Sequence, residues 1–419
     1  MSEMSEKKTF CIVDGFSSGR LLAEALHRDG HRLIHIQHLA SIPESYKSSF
    51  VPSLFDRHMS WAIGLKEVVK ILIAERVDFV LPGAEAGVEA ADQISEALGL
   101  KTSNGTRLSA ARRDKYLMVE ALRSAGLQTV RHFKSRSSEA IVTWVEALGE
   151  FPVVVKPVKS SGADAVAICD DIEQVRDASR RILGTTNQIG FRNDEVIIQS
   201  FLSGTEYIVN TVSSNGSHRI CDVWRCKKEK IAGAGFISCL EELVDPSDEC
   251  VGRLIDYAFK SLDALAIKFG PAHFEIMDTQ DGPILVEVGA RIQGAINPSS
   301  IQAATGTSQV EMTLDAYLRP NVFNANKSVS FLRLKAMFHA FMVSDVEGIL
   351  RRLPRLDDVQ AMPSFFHYSP RFAIGQQIKR TTDLFSSVGV IDFLHFDHDV
   401  VRQDYERFRS FEREGFYEL

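Results

Sequence analysis

Two glutamates, Glu275 and Glu287, stand in the stretches Ala272-His273-Phe274-Glu275-Ile276-Met277-Asp278 and Ile284-Leu285-Val286-Glu287-Val288-Gly289. Both stretches read as strands, and Asp281-Gly282 between them is a strong hairpin signal. A hairpin centred near Asp281 sets Glu275 opposite Glu287. Alternation at period two then puts His273, Glu275, Glu287, Gly289 and Arg291 on one face, with Phe274, Ile276, Val286 and Val288 on the other. Opposed carboxylates repel each other and weaken a sheet. They are expected where a cation bridges them or a proton is shared. Hard oxygen ligands on a rigid scaffold suit Mg²⁺, which keeps several waters and completes its shell with phosphate oxygens. Two solvated glutamates on an exposed sheet face are the alternative reading of the same pattern.

Phosphates need positive charge and backbone donors, and the chain offers both upstream. Lys156 ends the β-branched run Phe151-Pro152-Val153-Val154-Val155-Lys156-Pro157, where an unpaired ammonium is costly. Lys115 lies near a helix start. The small-residue stretch Lys159-Ser160-Ser161-Gly162-Ala163-Asp164 is able to turn its N–H groups over an anion, although such a stretch also serves as a plain hairpin loop.

These groups must be positioned by the surrounding elements. The first hundred residues alternate strand and helix: strands at Thr9–Val13, His31–Ile36 and Phe79–Leu81, helices at Arg20–Arg28, Trp61–Glu75 and Glu85–Leu98. That order predicts a parallel sheet covered on both faces. The turn Asp14-Gly15-Phe16-Ser17-Ser18-Gly19 lacks the GxGxxG spacing of a dinucleotide site and reads as a tight connection. Further helices are expected at Leu108–Ala125, Glu139–Leu148, Gly252–Leu265 and Val310–Tyr317. Strands are expected at Val130–Lys134, Val166–Cys169, Glu195–Gln199, Glu206–Val212 and His218–Arg225. Pro320 and the Asn-rich stretch at 321–326 mark a boundary, after which the chain alternates again and ends in a charged helix, Arg402–Phe416. The lysine- and glycine-bearing stretch Arg225–Phe236 reads as a lid over the site or as a solvated charge run.

At 419 residues, with 45% hydrophobic and 25% charged residues, the chain is an ordinary globular protein large enough for several subdomains. A net charge of −7 gives no reason to expect nucleic acid. Cys11, Cys169, Cys221, Cys226, Cys239 and Cys250 show no metal-cage spacing. No window is apolar enough for a membrane helix and the N-terminus does not read as a signal peptide, so a cytoplasmic protein with reduced thiols and no membrane partner is expected.

In their order, from about residue 105 to 300, these elements resemble the ATP-grasp superfamily of carboxylate–amine ligases. The resemblance implies an α/β chain of the ATP-grasp fold. Its parts would be an N-terminal Rossmann-like domain (1–104), a central lid subdomain (105–200), a catalytic subdomain (201–320) and a C-terminal α+β subdomain packing on the core (321–419). It matches Lys115 and Lys156 to phosphate-binding lysines, and Ser160, Ser161, Gly162 and Ala163 to a glycine-rich loop. Gln199, Ser200, Phe201 and Leu202 match an adenine linker, Glu206 the ribose-binding acid, and Glu275 and Glu287 the metal carboxylates. ATP and Mg²⁺ are implied, as one or two ions with Mn²⁺ as a substitute. Many relatives carry Asn two positions after the second glutamate; here Gly289 stands there, which puts the second ion in doubt.

The sequence Glu287-Val288-Gly289-Ala290-Arg291-Ile292-Gln293-Gly294 and the Gly270–Glu275 stretch look most like the L-amino-acid ligase (dipeptide synthetase) branch. That branch implies an amide formed from two amino acids through an acyl phosphate, with ADP and phosphate released, in making a small peptide antibiotic or natural product. Arg291 and the Gly294 backbone would then steady the oxyanion, His273 would orient a substrate or act as a base, and a homodimer is implied. A ligase with a non-amino-acid carboxylate or amine (purine-pathway or D-alanine ligase-like) and a nucleotide-binding module without catalysis are the competing readings.

Overall fold

The computed structural model describes residues 6–231, 235–325 and 330–419. At the N-terminus, β1 (Thr9–Val13), β2 (Arg32–Gln37), β3 (Arg57–Ser60) and β4 (Phe79–Pro82) form a parallel sheet in the order β3-β2-β1-β4. Apolar clusters fill both faces, as a covered parallel sheet requires. β3 was not expected, because its sequence Arg-His-Met-Ser buries only Met59 and shows no apolar run. The expected helix Trp61–Glu75 is a 3₁₀ turn, Trp61–Ile63, a glycine, and then the helix Leu65–Ala74.

A second sheet, β5-β8-β6-β7, is antiparallel and joins β5 (His132–Ser135), β6 (Val153–Pro157), β7 (Ala167–Cys169) and β8 (Val196–Ser200). The helices Ser138–Leu148 and Ile172–Ile182 close one side around Val153, Val155, Val196 and Ile198. The second of these was missed at the sequence level despite its Asp171 N-cap and the buried spacing Val175, Ala178, Ile182.

The third sheet carries the hairpin. Its eight strands are antiparallel in the order β13-β12-β9-β10-β11-β14-β18-β16. They are β9 (Gly204–Ser214), β10 (Ser217–Ile231), β11 (Gly235–Leu243), β12 (Gly270–Thr279), β13 (Gly282–Gly289), β14 (Ala336–Phe341), β16 (Phe365–Pro370) and β18 (Gly389–His395). Two short strands, β15 (Gly348–Ile349) and β17 (Gln377–Ile378), pair separately. The helices Lys115–Ser124 and Glu249–Ala264 cover one face with a core that includes Phe274, Val288 and Trp224. The C-terminal stretch extends the hairpin-bearing sheet through the β11–β14 pairing. The Pro320 boundary is a short helix, Pro320–Ala325; residue 326 lies outside the described residues. No helix among the described residues is long and apolar enough to cross a membrane.

Candidate active site

The hairpin holds the register expected of it: Glu275 pairs with Glu287 and His273 with Gly289. One detail differs. A bulge after Glu275 pairs Ile276 with Leu285, so Leu285 enters the core and Val286 is half-exposed. The extra residue in one strand shifts the facing by one, as a β-bulge must. The carboxylates are thereby presented together on the open face, beside Glu206 of β9. Burial and the like charges of Glu206 and Glu287 push the Glu275 carboxyl up to about 7.

Lys115 reaches this pair from the start of its helix. Asp114 caps that helix, accepting from the N–H groups of Tyr116 (2.9 Å) and Leu117 (3.0 Å), which fixes Lys115 in the first turn. The Lys115 backbone N–H donates to the Val158 carbonyl at 3.1 Å. Its ammonium donates to the Ser160 carbonyl at 2.9 Å and lies 3.0 Å from Glu287 Oε1. One lysine thus ties the glycine-bearing loop to the hairpin. Lys156, at the end of β6, is buried and makes no ion pair among the described residues. Burial and the neighbouring Lys115 charge lower its ammonium to about 8, against the opposing pull of Glu287, Glu275 and Glu206.

In the loop after β6, Gly162, Ala163 and Ala165 all adopt positive φ, at 67°, 61° and 57°. Two alanines in that region are uncommon, and such strain gathers at functional sites. A turn of this kind is able to direct backbone N–H groups toward an anion. Phe385 lies over the loop, where a Cβ on Gly162 would come within 2.8 Å of its ring. Gln199 and Ser200 at the end of β8 keep a buried Nε2 and Oγ without a hydrogen-bond partner, and Phe201 and Leu202 follow at the surface side of the linker. Glu206 is held by Lys228 of β10 at 2.6 Å, and the Lys228 ammonium is raised by the Glu206 and Glu275 charges.

Three side chains that the sequence did not single out, Glu85, Arg113 and Tyr46, gather near Arg291. Glu85 follows β4 at the C-terminal edge of the parallel sheet, where the strand order reverses between β1 and β4. That crevice is where open α/β sheets take ligands. Its carboxylate receives Arg291 Nε at 2.7 Å and Arg113 Nη1 on its other oxygen. Burial works against its charge, but Arg113 and Arg291 outweigh it and hold the Glu85 carboxyl below the usual range. Arg291 also donates through Nη1 to the Ile292 carbonyl at 2.9 Å. Tyr46, between β2 and β3, stacks on Phe16 (5.5 Å) and meets Phe385 edge-on (5.9 Å). The hint in the sequence was a carboxylate in the Pro82-Gly83-Ala84-Glu85 turn immediately after a strand.

Gly289 has its explanation here. A Cβ at this position would fall 2.6 Å from Glu85 Oε2. The room that a side chain would need is taken by a carboxylate from the turn after β4 of the parallel sheet. His273 is buried, with Nδ1 2.9 Å from Asn210 Oδ1 and Nε2 3.9 Å from Glu275 Oε1. Burial, reinforced by Arg291, drops its imidazole to about 3, which suits a neutral orienting group better than a proton acceptor at neutral pH. Gly294 sits half-buried in the loop between β13 and the Asn297-capped helix Pro298–Thr305, with open space at its Cβ position. The segment Arg225–Phe236, read as a lid or a solvated charge run, is largely strand: β10 and β11 pair from Trp224 to Ile231, with a bulge between Lys227 and Lys228. Residues 232–234, including Gly233, lie outside the described residues.

Glu275 and Glu287 are the opposed pair that the hairpin offers a cation, and no cluster of three metal-ligating side chains occurs among the described residues. That donor set fits an ion that takes its remaining ligands from water and phosphate. Residues 149–299 match the model of the ATP-grasp domain. The whole chain aligns with dapdiamide A synthase of Enterobacter agglomerans, 30% identical over 437 aligned positions, covering 100% of this chain and 99% of that one. The chain belongs to the ATP-grasp family. Solved ATP-grasp structures share its fold across the full length. The L-amino acid ligase of Bacillus licheniformis superposes with a TM-score of 0.74 at 18% identity, covering 97% of this chain and 96% of that one. Phosphoribosylglycinamide synthetase of Anaerococcus prevotii gives 0.67 at 17% identity, covering 97% and 98%. This ATP-grasp protein is an ATP-dependent ligase forming a carbon–nitrogen bond.

Proposed function

We propose that the enzyme joins two amino acids or amino-acid derivatives through an acyl phosphate, with Mg²⁺ held by Glu275 and Glu287. The observation that carries this reading is the convergence of the opposed glutamates, Lys115 and the uncompensated Lys156 on one face. Full-length similarity to an enzyme named for a dapdiamide supports amino-acid-like partners. When bound, Mg²⁺ supplies charge neutralisation to the phosphates of the nucleotide.

The chain's own residues account for the rest. Lys156 and Lys115 place positive charge on the transferring phosphoryl group, and the Gly162–Ala165 turn gives it N–H donors. Gln199, Ser200, Phe201 and Leu202 hold the base, and Glu206 the ribose hydroxyls. Arg291, fixed by Glu85, faces the acyl carbonyl where negative charge develops when the amine adds, and the Gly294 N–H assists it. A preorganised donor of this kind is typically worth about 10²–10³ in rate. His273, neutral and anchored on Asn210, orients the substrate carboxylate.

The test is phosphate release over a matrix of amino-acid pairs with ATP and Mg²⁺, with product masses recorded. A condensation product smaller than the sum of its parts by one water is expected for at least one pair, non-proteinogenic amino acids included. ATP turnover with no such product would refute the assignment.

A further inference from the structure

One row of polar side chains crosses the catalytic sheet and takes no part in the chemistry above. Register places Cys226 of β10 beside Glu241 of β11, Glu241 beside His339 of β14, and His339 beside Asp392 of β18. All four lie on the same face as Glu206. Glu241, His339 and Asp392 are each buried. His339 Nδ1 is 2.7 Å from Asp392 Oδ1, and Asp392 Oδ2 accepts from the Ser300 hydroxyl at 2.5 Å. Glu241 Oε2 accepts from Gln293 Nε2 at 2.8 Å. Gln293 Oε1 in turn accepts from Asn210 Nδ2 at 2.5 Å, and Asn210 is the anchor of His273. The network therefore ends at the catalytic hairpin and fixes the loop bearing Arg291 and Gly294.

Glu241 is the unusual member. No lysine or arginine among the described residues forms an ion pair with it, and one oxygen is held while no described group donates to the other. Facing it are His339 from β14, Asp222 and Cys226 from β10, Glu206 from β9 and Gln293 from the loop. Burial, with Asp222 and Glu206, pushes its carboxyl up to about 7, against the opposing His339 and Gln293. The Asp392 and Glu241 charges raise His339 in spite of its burial. A buried carboxylate that neighbours the hydrogen-bonded His339–Asp392 couple across the sheet, and is tied by Gln293 to the loop bearing Arg291, is held as a positioned base must be.

We propose that Glu241 is the general base that prepares the incoming amine, with Gln293 as its positioning residue. The proposal rests on the ligase reading above. An amino group arrives as an ammonium, whose lone pair is unavailable. It passes one proton to the Glu241 carboxylate, and the freed pair forms the C–N bond at the acyl-phosphate carbonyl. The tetrahedral intermediate collapses by breaking the C–O bond to phosphate. Phosphate leaves with that electron pair and takes the second nitrogen proton, and Glu241 later releases its own to solvent.

Hydroxylamine separates this role from a structural one, because it is already unprotonated at neutral pH and needs no base. With a carboxylate drawn from the matrix above, ATP and Mg²⁺, Glu241→Gln should lose on the order of 10²–10⁴ in amide formation. Hydroxamate formation with hydroxylamine should stay within a few-fold of the wild type. Equal loss of both products, or amide formation within a few-fold of wild type, overturns the proposal. The wild-type enzyme supplies a test that requires no variant to fold: amide formation should fall as pH drops through about 7, and hydroxamate formation should not follow it. Parallel profiles overturn the proposal. Absence of both products from the wild type with every carboxylate is instead a failure of the ligase reading.

Discussion

Gly289→Ala is the smallest perturbation that tests how the site is braced. The new Cβ would stand 2.6 Å from Glu85 Oε2 and 3.3 Å from the Arg291 Cζ. One of these groups must retreat by roughly 0.5–1 Å to restore van der Waals separation. A glutamate tip usually swings away at little cost, but Glu85 is buried with both oxygens engaged by Arg113 and Arg291. Overpacking of this kind costs about 1–3 kcal/mol. Complete loss of the carboxylate from between its guanidiniums would approach the ~3–5 kcal/mol of a broken buried pair. A misplacement of Arg291 by ~1 Å lowers catalysis by about 10²-fold. The expected result is amide formation down by ~10-fold to ~10²-fold with the KM for ATP little changed, because Lys115, Lys156 and the stretch 199–202 proposed to hold the base are untouched. The decisive control is the double variant: in a Glu85→Ala background the extra methyl should cost little more, since the clash and the brace are then the same loss. Full activity of Gly289→Ala, or an undiminished effect in the Glu85→Ala background, would refute the reasoning.

Other expectations follow from the charges. Lys156→Met removes a buried ammonium whose proton is bound less tightly in the folded chain than in the unfolded one. Stability of the nucleotide-free wild type should therefore rise as pH climbs from about 8 towards the ordinary lysine range, and the variant should lack that rise while binding ATP at least ~10-fold more weakly by calorimetry. Glu275 has a raised folded-state pKa of about 7, so its contribution favours the folded chain at low pH and is lost as pH rises from the unfolded carboxyl value through 7. Glu275→Gln should accordingly raise the metal-free Tm at pH 8 and leave it nearly unchanged at pH 4, and an equal effect at both would contradict the shift. Arg291→Lys keeps the charge but not the planar fork; amide formation should fall by ~10²-fold with ATP binding retained, read as a kcat loss at constant KM for ATP.

Much of the catalytic half was legible because its signals are local. Asp281-Gly282 and the alternation around Glu275 and Glu287 fix a hairpin without outside help, and Asp114 caps the helix that aims Lys115. The bulge that turned Val286 out and Leu285 in was not legible, since it depends on how β9 and the core meet the hairpin. Glu85 and Arg113 escaped notice because their meaning comes from Arg291, far along the chain. Glu241 escaped for a related reason. It lies on β11 beyond the stretch Arg225–Phe236 that read as a lid or a solvated charge run, and its strand neighbours His339 and Asp392 belong to a region with no recognisable signature. β3 is an edge strand whose exposed side chains carry no apolar period, so periodicity had nothing to report.

The pairing of β14 with β11 also bears on how this chain can be cut or borrowed. Removing the residues after Pro320, as a domain boundary there would invite, would leave one side of β11 as a bare row of peptide donors and acceptors in the middle of the catalytic sheet. An open edge of that kind recruits other strands. A shortened chain is thus expected to self-associate instead of behaving as a smaller enzyme. Transplanting the hairpin and its lysines to another scaffold would require carrying the C-terminal strands with them.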